Sequence, residues 1–176
     1  QACQAVRVVV KDFKLSRSQN RLVKKNKDLL VEKVSLKATP EQYELFLSYQ
    51  FSRHGDGDMS KMLYKDYQSL IEETPVESEL VEFRLADLTL VAVCLIDKVD
   101  NGLSAVYSFY QPSISKRSLG TYMILWLTEN ARTLKLKFVY LGFWISGCAK
   151  MSYKIKFRPL EVWTINGWCE LLLSDS

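Results

Sequence analysis

The chain has 176 residues, of which 48% are hydrophobic and 25% charged, and its formal net charge is +4. A chain of this size and composition buries one good core, so we expect one main domain with at most a small appendage. No apolar run reaches membrane-spanning length and the start lacks the charged-then-apolar layout of a signal peptide, so we expect a cytoplasmic protein without a membrane partner.

Charge is distributed unevenly along the chain. Residues 1–40 carry ten Lys or Arg against three Asp or Glu, residues 41–100 carry five against thirteen, and residues 101–176 carry nine against four. The two basic ends predict surfaces that meet a polyanion, and the acidic middle predicts a surface that meets something cationic. For the acidic middle, ordinary solvated helix faces are the alternative.

The first 36 residues combine a strand with a basic helix. The strand covers Val6 to Val10, and Ser16 then begins the helix SRSQNRLVKKNKDL. Because the chain opens with Gln in a strand-like run, we interpret residues 1–36 as the remnant of a longer amino-terminal region and residues 37–176 as the main domain. Basic residues of the helix recur at spacings of three and four, so several share the face needed to track a phosphate backbone: Arg17, Arg21, Lys24, Lys25 and Lys27.

Two further helices precede a region of strands. Thr39 as N-cap and Pro40 at the first helical position begin a helix that ends near Arg53, and a short helix is predicted over Met62 to Ile71. The loop HGDGD at residues 54–58 has the acid spacing of a calcium loop but lacks the acidic residue that would complete the coordination sphere. We therefore predict no metal site there.

The second half of the chain is rich in strands. VESELVEFRL, LTLVAVCLID and LSAVYSFY predict an antiparallel meander, with a turn at residues 100–102. A helix from Ser118 to about Leu134 follows, then the strand KFVYLGFW and the segments GCAKMSYKIKF and RPLEVWTINGWCEL. The four cysteines have no zinc-site spacing, and Cys94 in mid-strand is interpreted as a free thiol.

The junction between the third strand-like run and the following helix is the predicted active site. Pro112 ends the strand, and the helix begins after the candidate caps Ser115 and Ser118. Free backbone N–H groups and the positive end of the helix can hold a phosphate or a developing negative charge here. Three residues of this junction are candidates for such contacts: Lys116, Arg117 and Gly120.

The order of the elements resembles the acyl-CoA N-acyltransferase (GNAT-like) fold, in which acetyl-CoA binds at the strand-to-helix loop. The predicted fold class is α+β, with a mixed, mostly antiparallel sheet and flanking helices. The acetyltransferase loop pattern requires Gln or Arg, two residues, Gly, one residue, then Gly or Ala; here Arg117, Gly120 and Tyr122 fill those places. The Tyr122 ring is expected to crowd the approach of pantetheine, which argues against an acyl-CoA donor.

Several motifs resemble one family specifically. SRSQNR, KKNKDL, LVEFR, LVAVCLID, GLSAVYSFYQP, RSLGTY and YLGFWISGCAKMSYKIKFRPLE resemble, in order, motifs of the aminoacyl-tRNA protein transferases. The bacterial aspartate/glutamate leucyltransferases are most similar, and the eukaryotic arginyltransferases are more distant. The resemblance implies an enzyme that transfers an amino acid from charged tRNA to a protein N-terminus and so marks that protein for degradation by the N-degron route.

The resemblance also implies partners and cofactors. The partners would be aminoacyl-tRNA, held by the basic helix and the junction, and an acceptor protein with an acidic N-terminus. Leucine is favoured over arginine because the bacterial branch matches better, and the chemistry requires no cofactor. Family members carry amino-terminal cysteines that are linked to an iron–sulfur cluster. Here only Cys3 matches, so a cluster is expected only in a longer chain, and loss of that region could inactivate the enzyme.

Candidate roles follow from the reaction, which is attack of an α-amine on an ester carbonyl. Candidates that shuttle a proton or orient the amine are Glu82, Asp97 and Tyr107. Candidate cations for the acidic acceptor residue are Arg84, Lys150 and Lys154. Candidate walls of an amino-acid pocket are Tyr140, Phe143, Trp144 and Tyr153. The alternatives are a turn-capping role for Asp97, a structural ion pair of Arg84 with Glu82, and core packing of the aromatic residues.

Two other classes of protein are compatible with this fold. One is an acetyl-CoA-dependent N-acetyltransferase, against which Tyr122 argues. The other is a non-catalytic RNA-binding module, which would not need the polar residues concentrated beside the RSLG loop. A comparison of leucyl-tRNA with acetyl-CoA as donor distinguishes these alternatives.

Overall fold

A computed structural model describes residues 3–55 and 61–172. Strands β1 to β8 cover Gln4–Val9, Leu30–Val34, Ser78–Arg84, Leu90–Val99, Gly102–Tyr110, Phe138–Trp144, Leu160–Thr164 and Gly167–Glu170. Helices α1 to α4 cover Arg17–Lys25, Pro40–His54, Tyr64–Glu72 and Leu119–Thr133. Two 3₁₀ segments cover Pro112–Arg117 and Ala149–Lys156. The acidic residues of the predicted loop at 54–58 lie outside the described ranges.

The described strands form one sheet in the order β2-β3-β4-β5-β6-β1-β7-β8. Neighbours are antiparallel except for β5 and β6, which are parallel. Parallel neighbours need a crossover connection, and α4 supplies it. The predicted meander is β3-β4-β5, and the predicted α+β class with a mixed, mostly antiparallel sheet and flanking helices is confirmed.

Strands of the amino-terminal segment belong to this sheet. β1 pairs with β6 on one side and with β7 on the other, and Val6 and Val8 on it are buried. β2 extends the opposite end of the sheet by pairing with β3. The sheet therefore crosses the predicted boundary between residues 36 and 37.

The helices cover the two faces of the sheet. α4 and α1 lie on one face, over a core that includes Phe83, Leu127 and Phe157. α2 and α3 lie on the other face over β3, β4 and β5, where Phe46 and Phe109 are buried. Within residues 3–55 and 61–172 a bilayer-spanning helix is not found, because each helix is too short or too polar.

The starts of α1 and α2 follow the predicted caps. The Thr39 hydroxyl accepts from the N–H of Gln42 at 3.2 Å, and the Gln42 side chain accepts from the N–H of Thr39 at 3.1 Å. Ser16 and Gln19 make the same reciprocal pair in α1. This capping box satisfies N–H groups that a helix start otherwise leaves unpaired.

Candidate active site

The sheet opens between β5 and β6. The two strands pair at three positions, from Gly102 opposite Phe138 to Ser104 opposite Tyr140, and then separate. β5 also shifts register against β4 just beyond this point, after Ala105. Such an irregularity bends a strand away from its neighbour, so a gap forms between β5 and β6.

A cavity of about 660 Å³ occupies this gap and opens to solvent. The end of α2 reaches it from one face of the sheet and the start of α4 from the other. Phenol, guanidinium and ammonium groups line the cavity, contributed by Tyr49, Arg53, Tyr107, Tyr110, Tyr153 and Lys154. The cavity therefore lies at the predicted strand-to-helix junction.

The start of α4 forms one end of the cavity. Ser118 is the N-cap residue, with a left-handed φ of 45° and ψ of 49°, and its side chain makes no capping hydrogen bond. The first-turn N–H groups are therefore not satisfied by a cap and point toward the space beyond the helix start. A Cβ at Gly120 would lie 3.0 Å from Cε1 of Tyr110, so the absence of a side chain lets that ring approach the helix.

Tyrosines form much of the cavity wall. The rings of Tyr49 and Tyr110 are 4.9 Å apart, and the side-chain amide of Gln50 donates to the phenol of Tyr107. Burial raises the pKa of Tyr49 to about 12, against the opposing charge of Arg53, and burial also raises the pKa of Tyr107 and of Tyr153. These phenols stay protonated at neutral pH and can donate to a carbonyl oxygen or an oxyanion.

The cations of the cavity wall are Arg53 and Lys154. Arg53 donates to the Tyr110 hydroxyl at 3.2 Å, and its guanidinium carbon lies 6.0 Å from the centre of the Tyr49 ring. Lys154 is 8% exposed, donates to the carbonyl of Phe143, and has a pKa that burial lowers. The lining residues, all within the described part of the chain, include no Asp or Glu, so the wall favours an anionic ligand.

The basic face of α1 is joined to the junction beside the cavity. The Lys25 ammonium donates to the carbonyl of Lys116 at 2.7 Å, and Asn26 donates to the carbonyl of Arg117 at 3.0 Å. Arg117 binds both carboxylate oxygens of Asp28 at 2.8 and 2.7 Å, and this contact lowers the pKa of Asp28. The structure thus joins the predicted tRNA contacts on α1 to those of the junction, and five of them are exposed: Arg17, Arg21, Lys24, Lys25 and Lys116.

Of the predicted catalytic residues, Tyr107 lines the cavity and the two carboxylates do not. Glu82 is buried on β3, where it accepts from Gln42 at 2.7 Å and from Arg84 at 2.9 Å. Asp97 accepts from the Ser78 hydroxyl at 2.6 Å, near the part of β5 that is still paired with β6.

Of the predicted cations, Lys154 lines the cavity, whereas Arg84 and Lys150 do not. Arg84 binds both carboxylate oxygens of Glu41 at 3.1 and 2.8 Å in addition to its pair with Glu82. This network connects α2 to β3. Arg84 therefore forms the structural ion pair with Glu82 that was the alternative to a role in substrate binding. Lys150 is exposed on the second 3₁₀ segment.

The four aromatic residues predicted to form the wall of an amino-acid pocket lie in different parts of the structure. Tyr153 lines the cavity, but Tyr140 donates to Asn101 at 2.8 Å and its ring packs against Trp168. Trp144 is 7% exposed and belongs to the core, and Phe143 is 60% exposed. Only one of these four aromatic side chains therefore lies in the cavity wall.

The expected crowding by Tyr122 is wrong. Its ring packs edge-to-face against Phe83 with the ring centres 6.0 Å apart, and Tyr122 is only 8% exposed. Two helical positions rotate a side chain by about 200°, so Tyr122 faces the core whereas Gly120 faces the cavity. Tyr122 therefore does not separate an acyl-CoA donor from an aminoacyl-tRNA donor.

Cys3 is exposed and unpaired with another cysteine. Across the described ranges, no three side chains of His, Cys, Asp or Glu converge as a metal site requires. Iron–sulfur clusters are held by several Cys or His ligands. Because Cys3 has no such companions in the described ranges, the residues there do not fit a cluster.

Tyr49, Arg53 and Tyr110 are among the wall residues that the sequence does not mark as site residues. Tyr49 and Tyr110 follow the pattern of an apolar helix side and a strand, and Arg53 follows that of a helix end. No local pattern distinguishes them from core or solvated side chains. They meet only because the end of α2 packs beside the gap between β5 and β6.

The fold, a mixed sheet with helices on both faces, is shared with two solved structures. "The structure of L-PGS from Bacillus licheniformis" superposes with a TM-score of 0.60 and 10% identity over 84% of this chain and 47% of that one. The C-terminal domain of a putative lysylphosphatidylglycerol synthetase from Agrobacterium fabrum gives a TM-score of 0.57 and 11% identity over 80% of this chain and 46% of that one. At such identities the likeness concerns the fold alone.

The sequence comparison is more specific. Residues 41–164 match the family described as "Arginine-tRNA-protein transferase, C terminus". The chain is 47% identical over 167 residues to an aspartate/glutamate leucyltransferase of Paramagnetospirillum magneticum, covering 95% of this chain and 68% of that protein. It is 48% identical over 168 residues to one of Parvibaculum lavamentivorans, covering 96% and 70%. The chain belongs to this aminoacyl-tRNA protein transferase family.

Proposed function

We propose that the chain transfers leucine from leucyl-tRNA to the N-terminal Asp or Glu of an acceptor protein in the cytoplasm, which marks that protein for N-degron degradation. The observation that carries this proposal is the 47% identity, over 95% of the chain, to a protein named aspartate/glutamate leucyltransferase. The cavity, with its cationic wall beside a basic surface, supports it. The chain spans about two-thirds of the length of such relatives, so the proposal concerns the part that carries the cavity.

The tRNA donor would lie along the basic face of α1 and enter the cavity at the start of α4. The exposed ammonium and guanidinium groups of α1 suit a phosphate backbone, which sequence-independent contacts can hold. Lys25 and Arg117 connect α1 to the junction. Contacts between α1 and the phosphate backbone of the tRNA would therefore place the 3′ end of the tRNA at the cavity. Gly120 lets the Tyr110 ring approach the start of α4, so the aminoacyl ester would meet that ring there.

The acceptor's α-amine attacks the ester carbonyl within the cavity. The new C–N bond forms, the bond from the carbonyl carbon to the ribose oxygen breaks, and a proton passes from the amine to the leaving hydroxyl. An α-amine has a pKa of roughly 7.7 to 8.0, so a useful fraction is neutral at pH 7 and a strong base is not required. Holding the two ends together supplies most of the rate.

Tyr107 is the predicted catalytic residue that we place next to the reacting atoms. It lines the cavity and burial keeps its phenol protonated, so it can orient the amine or donate to the oxyanion. Glu82 and Asp97 are hydrogen-bonded elsewhere and would act only through other residues. The first-turn N–H groups of α4 are a second source of donors for the oxyanion.

The test is a transfer assay with radiolabelled leucyl-tRNA and peptides that begin with Asp or Glu. Peptides that begin with Asn or Gln are the matched controls, and arginyl-tRNA and acetyl-CoA are the competing donors. We expect leucine transfer to the acidic peptides alone. Acetyl transfer without leucine transfer would instead assign the cavity to an acyl-CoA donor, and arginine transfer would assign it to the other branch of the family.

A further inference from the structure

The cavity offers a small choice of cations for an acidic acceptor residue. Among the described lining residues, Arg53 and Lys154 carry positive charge and none carries negative charge. Arg84 is occupied by Glu41 and Glu82, and it lies outside the cavity wall, as does Lys150. An acceptor carboxylate that enters the cavity therefore meets Arg53 or Lys154.

Lys154 is the less suitable of the two for reading a carboxylate. Its ammonium is buried and already donates to the carbonyl of Phe143. Burial lowers the pKa of Lys154, which makes its charged form harder to maintain. An ammonium is also a point charge and does not match the planar geometry of a carboxylate.

Arg53 has the opposite properties. It is exposed at the cavity mouth, where a protein N-terminus can reach it. Its fork of N–H donors matches a carboxylate through two parallel hydrogen bonds. It donates to the Tyr110 hydroxyl at 3.2 Å through one nitrogen, and its other N–H groups have no hydrogen-bond acceptor among the described residues.

The surroundings of Arg53 hold it in a defined place relative to the reaction. Tyr110 binds the guanidinium through its hydroxyl, and the same ring lies against Gly120 at the start of α4. The charge of Arg53 also opposes the rise in pKa that burial causes at Tyr49 and Tyr153, so its field reaches both cavity walls. One tyrosine therefore connects the cation with the helix start where the donor ester would lie.

We infer that Arg53 binds the side-chain carboxylate of the acceptor's first residue and determines the preference for Asp and Glu, an inference that rests on the function proposed above. With the carboxylate on Arg53, the α-amine of an Asp or Glu residue lies one or two methylene groups further along, toward Tyr110 and the start of α4. Tyr110 acts as a positioning residue for this contact.

The test uses Arg53→Met, Arg53→Glu and Lys154→Met in the 176-residue chain. Binding of peptides that begin with Asp, Asn or Lys is measured by calorimetry without tRNA, and leucine transfer to the same peptides is measured separately. We expect Arg53→Met to lower the preference for Asp over Asn about tenfold or more in both assays, since loss of one partner of a bound charge pair has effects of this size. Arg53→Glu should favour the Lys peptide over the Asp peptide.

Three results would overturn the inference. One is an unchanged Asp-to-Asn preference in Arg53→Met, and another is a loss of that preference in Lys154→Met alone. The third is a higher KM for leucyl-tRNA in Arg53→Met with an unchanged peptide preference, which would place Arg53 on a donor phosphate. A merely structural role for Arg53, as a cation at the end of α2, would lower the melting temperature but could not invert the peptide preference in Arg53→Glu.

Peptide binding measured by calorimetry without tRNA distinguishes the proposed function from the inference about Arg53. If the unsubstituted chain binds Asp peptides better than Asn peptides through Arg53 but transfers no leucine, the inference holds and the proposed donor is wrong. If it transfers leucine to Asp peptides and Arg53→Met keeps the preference, the proposed function holds and the inference is wrong. If Asp and Asn peptides bind equally to the unsubstituted chain, the inference is wrong whatever the donor.

Discussion

Gly120 shows how one absent side chain shapes the cavity. The nearest atoms to a Cβ at this position belong to the Tyr110 ring, at 3.0 Å for Cε1 and 3.4 Å for the hydroxyl oxygen. Contacts this close would force the ring to move, and Tyr110 also holds Arg53. A side chain at Gly120 would therefore disturb both the helix start and the cavity mouth.

For Gly120→Val we expect impaired donor binding in a folded protein. Valine is a better helix former than glycine, so the substitution should change stability little or raise it slightly. Its side chain would displace the Tyr110 ring from the helix start, where the aminoacyl ester would bind, so the KM for leucyl-tRNA should rise about tenfold or more. Steady-state kinetics and thermal melting check this, with exposed Thr133→Val at the other end of α4 as the control. An unchanged KM would contradict the placement of the donor.

Tyr122 is a residue whose role depends on a rotation along a helix. It stands where the acetyltransferase pattern has Gly or Ala, yet its ring lies in the core against Phe83. We expect Tyr122→Ala to lower the free energy of unfolding by about 3–5 kcal/mol, as is usual for a buried aromatic side chain. Denaturant titration measures this loss, and Tyr122→Phe is the conservative control. A gain of acetyl transfer by Tyr122→Ala would show that the ring does reach the cavity.

Helix α1 combines a capped start with a basic surface. Its capping box is satisfied within the helix, and Gln19 further donates to the carbonyl of Lys156 at 3.0 Å. At its end, Asn26 is fully buried and binds the junction. The helix is thus fixed at both ends while its basic side chains remain exposed.

If that surface holds tRNA, removing its charges should act on every tRNA alike. We expect Arg21→Ala with Lys24→Ala to weaken binding of charged and uncharged tRNA equally. The double variant should also reduce the slope of log K against log salt by about 0.7 to 0.9 for each phosphate that the protein no longer neutralises. Filter binding at several salt concentrations measures both effects. Lys37→Ala with Lys65→Ala removes the same charge near α2 and α3 and is the matched control, and an equal effect of the two pairs would argue against a specific surface.

The start of α2 depends on an ion-pair network. Arg84 holds Glu41 in the first turn and Glu82 beneath it, and the hydrogen bond from Arg84 lowers the pKa of Glu41. An unfolded Glu has a pKa of about 4.3. Below that pH the unfolded chain binds a proton at this position, whereas Glu41 in the folded chain stays deprotonated until a lower pH. The stabilisation by Glu41 is therefore complete above about pH 4.3 and is lost as the pH falls through the lower pKa that Glu41 has in the folded chain.

We accordingly expect the melting temperature to fall as the pH is lowered from 6 to 3, and to fall less steeply in Glu41→Gln. The amide cannot be protonated in this range, so the Glu41 contribution is absent from the variant at every pH. Calorimetric melts in a pH series measure the difference. Parallel curves for the two proteins would show that Glu41 titrates alike in the folded and unfolded states.

The whole molecule depends on a strand from its amino-terminal segment. β1 lies between β6 and β7, and its central residues Val6 and Val8 are buried at 1% and 0% exposure. A chain of residues 37–176 would lack β1 and β2 and would leave β6 and β7 without their common neighbour. Unpaired strands with an apolar face are prone to aggregate.

We expect a chain restricted to residues 37–176 to fail to fold cooperatively, whereas the 176-residue chain folds cooperatively. Circular dichroism melts and size-exclusion chromatography distinguish a cooperative monomer from an aggregate. A soluble, cooperatively melting fragment of residues 37–176 would show that the predicted boundary at residue 36 separates two independent units.

Much of the fold could be predicted because its patterns are local. Thr39 and Pro40 determine where α2 begins through side-chain and backbone groups within one helical turn. The continuous apolar run of β4 and the alternating residues of β5 specify strands by themselves. β2 was not predicted because its short run, LVEKV, lies at the edge of the sheet and is mostly exposed, so it lacks a clear alternation. The order of elements and the family motifs were sufficient for the fold class.

The cavity wall depends on contacts between residues far apart in sequence. Arg53 and Tyr110 are 57 positions apart, and they meet only because α2 crosses the sheet beside the gap that opens after Ser104. Glu82 and Tyr140 are residue types that often form active sites, but neither lines the cavity. The Glu82 carboxylate binds Gln42 of α2, and Tyr140 lies on β6 where that strand pairs with β1. The sequence alone determined the caps of α1 and α2, the strands of the central meander, the basic helix and the family. The tertiary structure decided which cations and phenols face the cavity, because side-chain direction depends on strand register and helix rotation that distant partners impose.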